Sequence, residues 1–235
     1  MRHFLGLVAP KAVRRLALVF VQWCVWVDVG TVTSLERHRQ DRARRQAAAR
    51  PGVIRATLFF DLASPYTYLA AERAERLFTG LQWRPACATA LHCGNFHGED
   101  SWDAVAARAE RLSLPLVSPQ ERCSYPVPGA MRVASLAVER GCAGAFVLAA
   151  SRLAFCGGFD LDDPEILAEA AAAAGIGLRA TLDAARDAGR DGPIEEAGRL
   201  LLAGGADRMP ALRVGRMLFC GEDRLAEAAA ARTAV

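Results

Sequence analysis

The run "ATLFFD" is apolar and aromatic almost throughout, with no regular polar alternation. That pattern fits a strand covered on both faces, as in the middle of a sheet. The chain then passes almost without a loop into Ser64-Pro65, where serine occupies an N-cap position and proline the first helical position. Tyr66, Ala70, Ala74, Leu77 and Phe78 follow at helical spacing, predicting a helix with these residues on its apolar face. After Thr79-Gly80, "LQWRPA" alternates and predicts a second strand.

Residues 100–205 change period. "WDAVAARAERL", "GAMRVASLAVERG", "AFVLAASRLAF", "DPEILAEAAAAAG", "LRATLDAARDAG" and "IEEAGRLLLAGG" read as helices separated by glycine or proline, with Asp163-Pro164-Glu165 a clear helix start. Strand chemistry returns in "ALRV" and "MLFC", which flank Gly215-Arg216, a two-residue connection suited to a type II′ hairpin. "GEDRLAEAAAAR" closes the chain as a helix with acidic residues in its first turn. Strand elements at both ends with helices spliced between them imply one α/β domain carrying a helical insertion. The predicted boundaries are an extension over residues 1–52 and a domain over 53–235, with its insertion at about 100–205.

Composition narrows the function classes. A chain of 235 residues suits one main domain, and a net charge of +3 is too small for a whole-chain nucleic-acid footprint. The basic excess concentrates in "ERHRQDRARRQAAARP", which reads as a solvated arginine-rich helix ending at a linker around Pro51-Gly52. Upstream, "RRLALVFVQWCVWVDVG" holds an apolar run shorter than the roughly 20 residues of a spanning helix. Two readings of it stay open: a signal sequence or anchor giving weak membrane association through residues 16–29, or a helix docked on the domain or on a second copy. Seven scattered cysteines with no CxxC pair read as reduced thiols in a cytoplasmic-type compartment.

Several residues invite chemistry. Ser64 would sit at the end of the first strand and the start of its helix, where N–H groups and the dipole favour an anion such as a thiolate. Met209-Pro210 immediately precedes the hairpin and is a candidate cis bond. Glu222 and Asp223 open the last helix at another set of unpaired N–H groups. Each has a plainer reading. Ser64 can be only a cap, Asp61 a residue that fixes the strand-to-helix turn, Cys220 a small buried side chain, and Arg224 an ion-pair partner at the last helix. Of Tyr66 and Tyr68, one belongs to the core. His92, Cys93 and His97 in "HCGNFH" match no zinc spacing, so that stretch reads as a polar loop and no metal site is expected.

The ordered set of S-P-Y at a helix start, a helical insertion, x-P before a hairpin and G-x-D-R-L at the final helix resembles the 2-hydroxychromene-2-carboxylate isomerases and the kappa-class glutathione transferases. The resemblance covers about residues 55–235 and implies a thioredoxin-like (DsbA-like) α/β sheet with a helical insertion. It also implies glutathione as cofactor, with Ser64 holding the sulfur as thiolate and Met209, before Pro210, pairing its backbone with the tripeptide. Asp223 and the backbone around Glu222 would take the γ-glutamyl end, and Asn95 in "CGNFHG" matches the family's asparagine. The family lysine beyond that loop has no counterpart, since Lys11 is the only lysine. The implied activity is glutathione-dependent isomerisation of a small aromatic or unsaturated carboxylate, in a cytoplasmic homodimer. Two alternatives stand beside it: a thiol-disulfide oxidoreductase or kappa-type transferase, and a non-catalytic glutathione-binding or membrane-associated protein. The oxidoreductase is disfavoured because Ser64 and Thr67 stand where two cysteines would be needed.

Overall fold

The computed structural model describes residues 56–91, 102–117 and 126–233, all within the unit formed by residues 45–235. The extension, the "HCGNFH" loop with Asn95, and the apolar run at 16–29 lie outside the described residues. Strand β1 (Ala56–Phe60) leads into α1 (Pro65–Leu77) and β2 (Gln82–Pro85). Six helices follow: α2 (Trp102–Arg111), α3 (Pro128–Glu139), α4 (Ala143–Phe155), α5 (Pro164–Ala173), α6 (Leu178–Arg186) and α7 (Asp191–Ala203). The chain ends with β3 (Ala211–Val214), β4 (Met217–Cys220), a 3-10 turn at Glu222–Arg224, and α8 (Leu225–Thr233).

The strands form one sheet in the order β2-β1-β3-β4. β1 runs parallel to β2 and antiparallel to β3, with Phe59 opposite both Arg84 and Ala211. Every residue of β1 is buried, as its almost wholly apolar run predicts. The two faces of the strand feed different cores. Leu58 and Phe60 join the large core with α1 and the helical block, while Phe59 packs with Ala197 and Leu201 of α7 and with Met209, Ala211 and Cys220. Gly215 has φ 59 while Arg216 does not go positive, which is the backbone of a type II′ hairpin and not of type I′.

Helix α1 joins the sheet to the helical block. Tyr68, fully buried, stacks on Phe155 of α4 with ring centroids 6.1 Å apart. Its hydroxyl donates to the Pro115 carbonyl at 2.8 Å and accepts from the Cys156 thiol at 3.2 Å. Tyr68 is therefore the core tyrosine. Glu72, also on α1, holds Arg152 of α4 through two hydrogen bonds of 2.6 and 2.8 Å. Because α1 packs on α4 and also against α8 and the Glu222–Arg224 turn, its buried arc is wider than the helical spacing predicts and is turned away from Leu77. Thr67, Tyr68, Leu69, Ala70, Ala71 and Ala74 are buried, whereas Leu77 is 39% exposed.

Within the helical block, Asp163 caps α5 by accepting from the Glu165 N–H at 2.8 Å, with Pro164 at the first helical position. No strand interrupts residues 102–203 among the described residues. The block is tied to itself by Arg132 of α3, which donates to both oxygens of Asp191 at 2.7 and 2.6 Å. That fork holds the Asp191 carboxyl below the usual carboxylate range. At the opposite end of the chain, Arg224 pairs with Glu227 at 2.6 Å and lies over the Phe219 ring, the ion-pair role its position suggests.

Candidate functional site

The site is built by the sheet register. β1 ends at Phe60 and delivers Ser64; β3, antiparallel to it, begins at Ala211 opposite Phe59; β4 ends at Cys220 opposite Ala211. Ser64, Met209-Pro210 and Glu222-Asp223 are thereby brought to the same end of the sheet. The Gly221 N–H donates to the Pro210 carbonyl at 2.8 Å, which joins the last two segments directly.

Ser64 is 6% exposed and stands at the N-cap position with extended backbone (φ −90, ψ 122), but its side chain makes no cap hydrogen bond. The expected hydroxyl cap is therefore absent. Backbone and Asp61 do the work instead: the Ser64 N–H donates to the Asp61 carbonyl at 3.1 Å, and the Thr67 N–H donates to the Ser64 carbonyl at 3.0 Å. Asp61 fixes the turn from both sides, accepting from the Ala63 N–H at 2.9 Å and from the Ala88 N–H, just beyond β2, at 2.8 Å. Burial pushes its carboxyl above the usual carboxylate range, and these two amide donors pull in the opposite direction. A group so fully occupied is a structural clamp, as the plainer reading has it. The Ser64 hydroxyl is left without a partner among the described residues. One helical turn on, the Thr67 hydroxyl is fully buried and also unpartnered.

The Met209-Pro210 peptide bond is cis, as its place before the hairpin suggested. The Met209 side chain is buried against the Phe59 side of the sheet. Its main-chain N–H and C=O make no hydrogen bond with any described residue. A donor and an acceptor on one residue, both unspent, are what an added peptide strand pairs with.

The final turn depends on a glycine. Gly221 has φ 95, and a Cβ there would overlap Asp223 Oδ1 and meet Arg208 Nε at 2.9 Å. Asp223 faces Arg208 at 3.7 Å and is half exposed, so its carboxylate remains open to a further partner. Glu222 differs: it is 3% exposed, and its carboxylate accepts from Arg73 of α1 at 2.8 Å and from Arg108 of α2 at 2.5 and 3.3 Å. Its side chain is spent, so only the backbone of this residue is left for a ligand. Sequence pattern gives no hint of Arg73 or Arg108, which lie 149 and 114 residues away along the chain.

The turn between β1 and α1, which carries Ser64, holds no cysteine. Cys87, Cys142, Cys156 and Cys220 form no disulfide among the described residues. Burial pushes the Cys156 and Cys220 thiols up, away from the reactive thiolate form, and Cys220 is the small buried residue expected. No cluster of metal-ligating side chains occurs among the described residues.

No family model and no curated protein sequence matches the chain. Solved structures do. A 2-hydroxychromene-2-carboxylate isomerase is similar with a TM-score of 0.61 at 18% identity, covering 76% of this chain and 95% of its own. A probable DsbA oxidoreductase from Streptomyces coelicolor has a TM-score of 0.58 at 18% identity, over 77% of this chain and 90% of its own. The cytosolic disulfide reductase DsbM from Pseudomonas aeruginosa, solved with GSH, has a TM-score of 0.52 at 19% identity, over 77% and 96%. The chain has the DsbA-like thioredoxin fold, with a helical block between its second and third strands.

Proposed function

We propose that the chain is a glutathione-dependent isomerase acting on a small aromatic or unsaturated carboxylate. The observation that carries this reading is the pairing of an unspent Ser64 hydroxyl at a helix start with an unspent Met209 main chain at the same end of the sheet. A simple structural junction requires neither. The donor set fits the tripeptide. Ser64 and the first turn of α1 would stabilise a sulfur anion, and the Met209 backbone would pair with the peptide. Asp223, with the opening N–H groups of its turn, would receive the charged γ-glutamyl end. Asn95 belongs to the same proposed set. The solved DsbM complex with GSH supports glutathione as a ligand of this fold.

When bound, glutathione would supply a thiol nucleophile for reversible addition to the substrate, which frees a double bond to turn. The chain's own part is position and charge. A free thiol of pKa about 8.5 is mostly protonated at neutral pH, and a helix start plus a hydroxyl donor lowers that value. A disulfide exchange reaction would need two thiols where Ser64 and Thr67 stand.

The test is to titrate glutathione into the full chain and into Ser64→Ala while following the ultraviolet absorbance of the bound thiolate. Binding with a thiolate signal that disappears in Ser64→Ala is the expected result. Absence of binding by the unmodified chain would overturn the reading.

A further inference from the structure

Glu222 is a buried carboxylate with no obvious reason to be buried. It sits in a 3-10 turn at the surface end of a hairpin, where an acidic side chain would ordinarily remain in water. Burying such a charge costs several kcal/mol unless partners compensate it. Here two do. Arg73 donates through Nη1 to Glu222 Oε2 at 2.8 Å and reaches the Glu222 main-chain oxygen at 3.4 Å. Arg108 donates through Nε to Oε1 at 2.5 Å and through Nη2 to Oε2 at 3.3 Å. The two guanidiniums are about a fifth to a quarter exposed (21% and 24%) and the carboxylate 4%, so the pairs lie largely out of solvent and are weakly screened.

The carboxylate joins three separate elements. Arg73 belongs to α1, the helix whose start carries Ser64; Arg108 belongs to α2, the first helix of the block; Glu222 belongs to the turn that presents Asp223. Helix α2 buries only Val105 and Ala109, so its ion pair is a substantial part of its attachment.

We propose that Glu222 is a positioning residue: through Arg73 and Arg108 it fixes the turn that receives the charged end of the ligand relative to the Ser64 helix and to α2. The inference rests on the glutathione reading above and goes beyond it. The Glu222 side chain touches no ligand in this scheme. It sets the direction of the Glu222 and Asp223 N–H groups and of the Asp223 carboxylate.

Glu222→Gln tests it in the full chain, because the amide keeps the shape and removes both ion pairs. The dissociation constant for glutathione is expected to rise roughly fivefold or more. The pKa of the bound thiolate, read from its ultraviolet absorbance against pH, should stay unchanged because Ser64 and the start of α1 are untouched. Cysteinylglycine, which has the thiol but lacks the γ-glutamyl arm, should bind variant and unmodified chain alike. Arg108→Gln keeps the Arg73 pair and should give a smaller loss of the same kind; it serves alone if Glu222→Gln does not fold. Normal glutathione binding by these variants overturns the inference and leaves the functional reading standing. An equal loss for glutathione and cysteinylglycine also overturns it, since that marks general destabilisation. Failure of the unmodified chain to bind glutathione removes both.

Discussion

Replacing Gly221 with alanine separates backbone strain from disturbance of the ligand turn. At φ 95 and ψ 149 an L-residue is forced into a region that glycine alone occupies readily, at a cost of about 1–3 kcal/mol. The new Cβ would also overlap Asp223 Oδ1 and lie 2.9 Å from Arg208 Nε. Asp223 and Arg208 are both about half exposed (52% and 53%), so they can swing aside into water at little further cost in stability. Their displacement, however, removes the carboxylate proposed to receive the γ-glutamyl ammonium. The structure supplies its own control in Gly80, which has φ 72 with nothing within 4 Å of an added Cβ. Urea unfolding should show both variants destabilised, Gly221→Ala by about 1–3 kcal/mol and Gly80→Ala by about 1–2 kcal/mol. Calorimetric titration should show glutathione affinity falling about tenfold, some 1.4 kcal/mol, in Gly221→Ala alone. Equal affinities for the two variants would refute the reasoning, because the strain would then act only on stability and Asp223 would have no part in binding.

Other outcomes follow from the same geometry. Ser64→Ala should change unfolding stability by less than about 0.5 kcal/mol, well under the usual loss of a serine cap, because the hydroxyl makes no cap bond. Asp191→Asn should cost about 1 kcal/mol near neutral pH. Because Arg132 lowers the Asp191 pKa, that stability is present above the ordinary carboxylate pKa and is lost as pH falls through the lowered folded value. Urea midpoints of the two proteins should therefore converge in acid, and a difference that persists at low pH would refute the assignment. A Ser64→Cys/Thr67→Cys double variant should form a disulfide reversibly, seen as two thiols lost to oxidant and regained with dithiothreitol, because the fold places these positions one helical turn apart. Failure to oxidise would mean that the turn lacks the geometry of a dithiol pair.

What the sequence made legible is what local chemistry decides. "ALRV", Gly215-Arg216 and "MLFC" correspond residue for residue to β3, the turn and β4, because a two-residue connection leaves the register no freedom. Asp163-Pro164 marks α5 for a similar reason: the cap and its donor, the Glu165 N–H, lie two residues apart. Ser64 was legible as a position and not as a bond, since Asp61 and the main chain take over the capping that a serine hydroxyl usually performs. Leu77 illustrates the limit of helical periodicity. The period identifies a helix, but the extent of its buried arc is set by α4, which arrives from a distant part of the chain. Arg73 and Arg108 were illegible altogether. In a chain so rich in arginine, nothing local distinguishes the two that meet Glu222 from those that face water.

The splicing of the helical block between β2 and β3 has a consequence for assembly. Phe59 and Ala211 are cross-strand neighbours, yet about 150 residues of chain lie between them. Closing an unstructured loop of that length costs about 4 kcal/mol beyond the constant term, a charge that the short β3–β4 hairpin largely escapes. The block reduces this cost if it condenses first, since its folded helices carry the chain back to the edge of β1. Ser64 and Met209 come to the same end of the sheet only once this long-range pairing is made. Ligand binding at that end would consequently report on closure of the entire domain, and a ligand that bridges both segments would stabilise a pairing made across about 150 residues of chain.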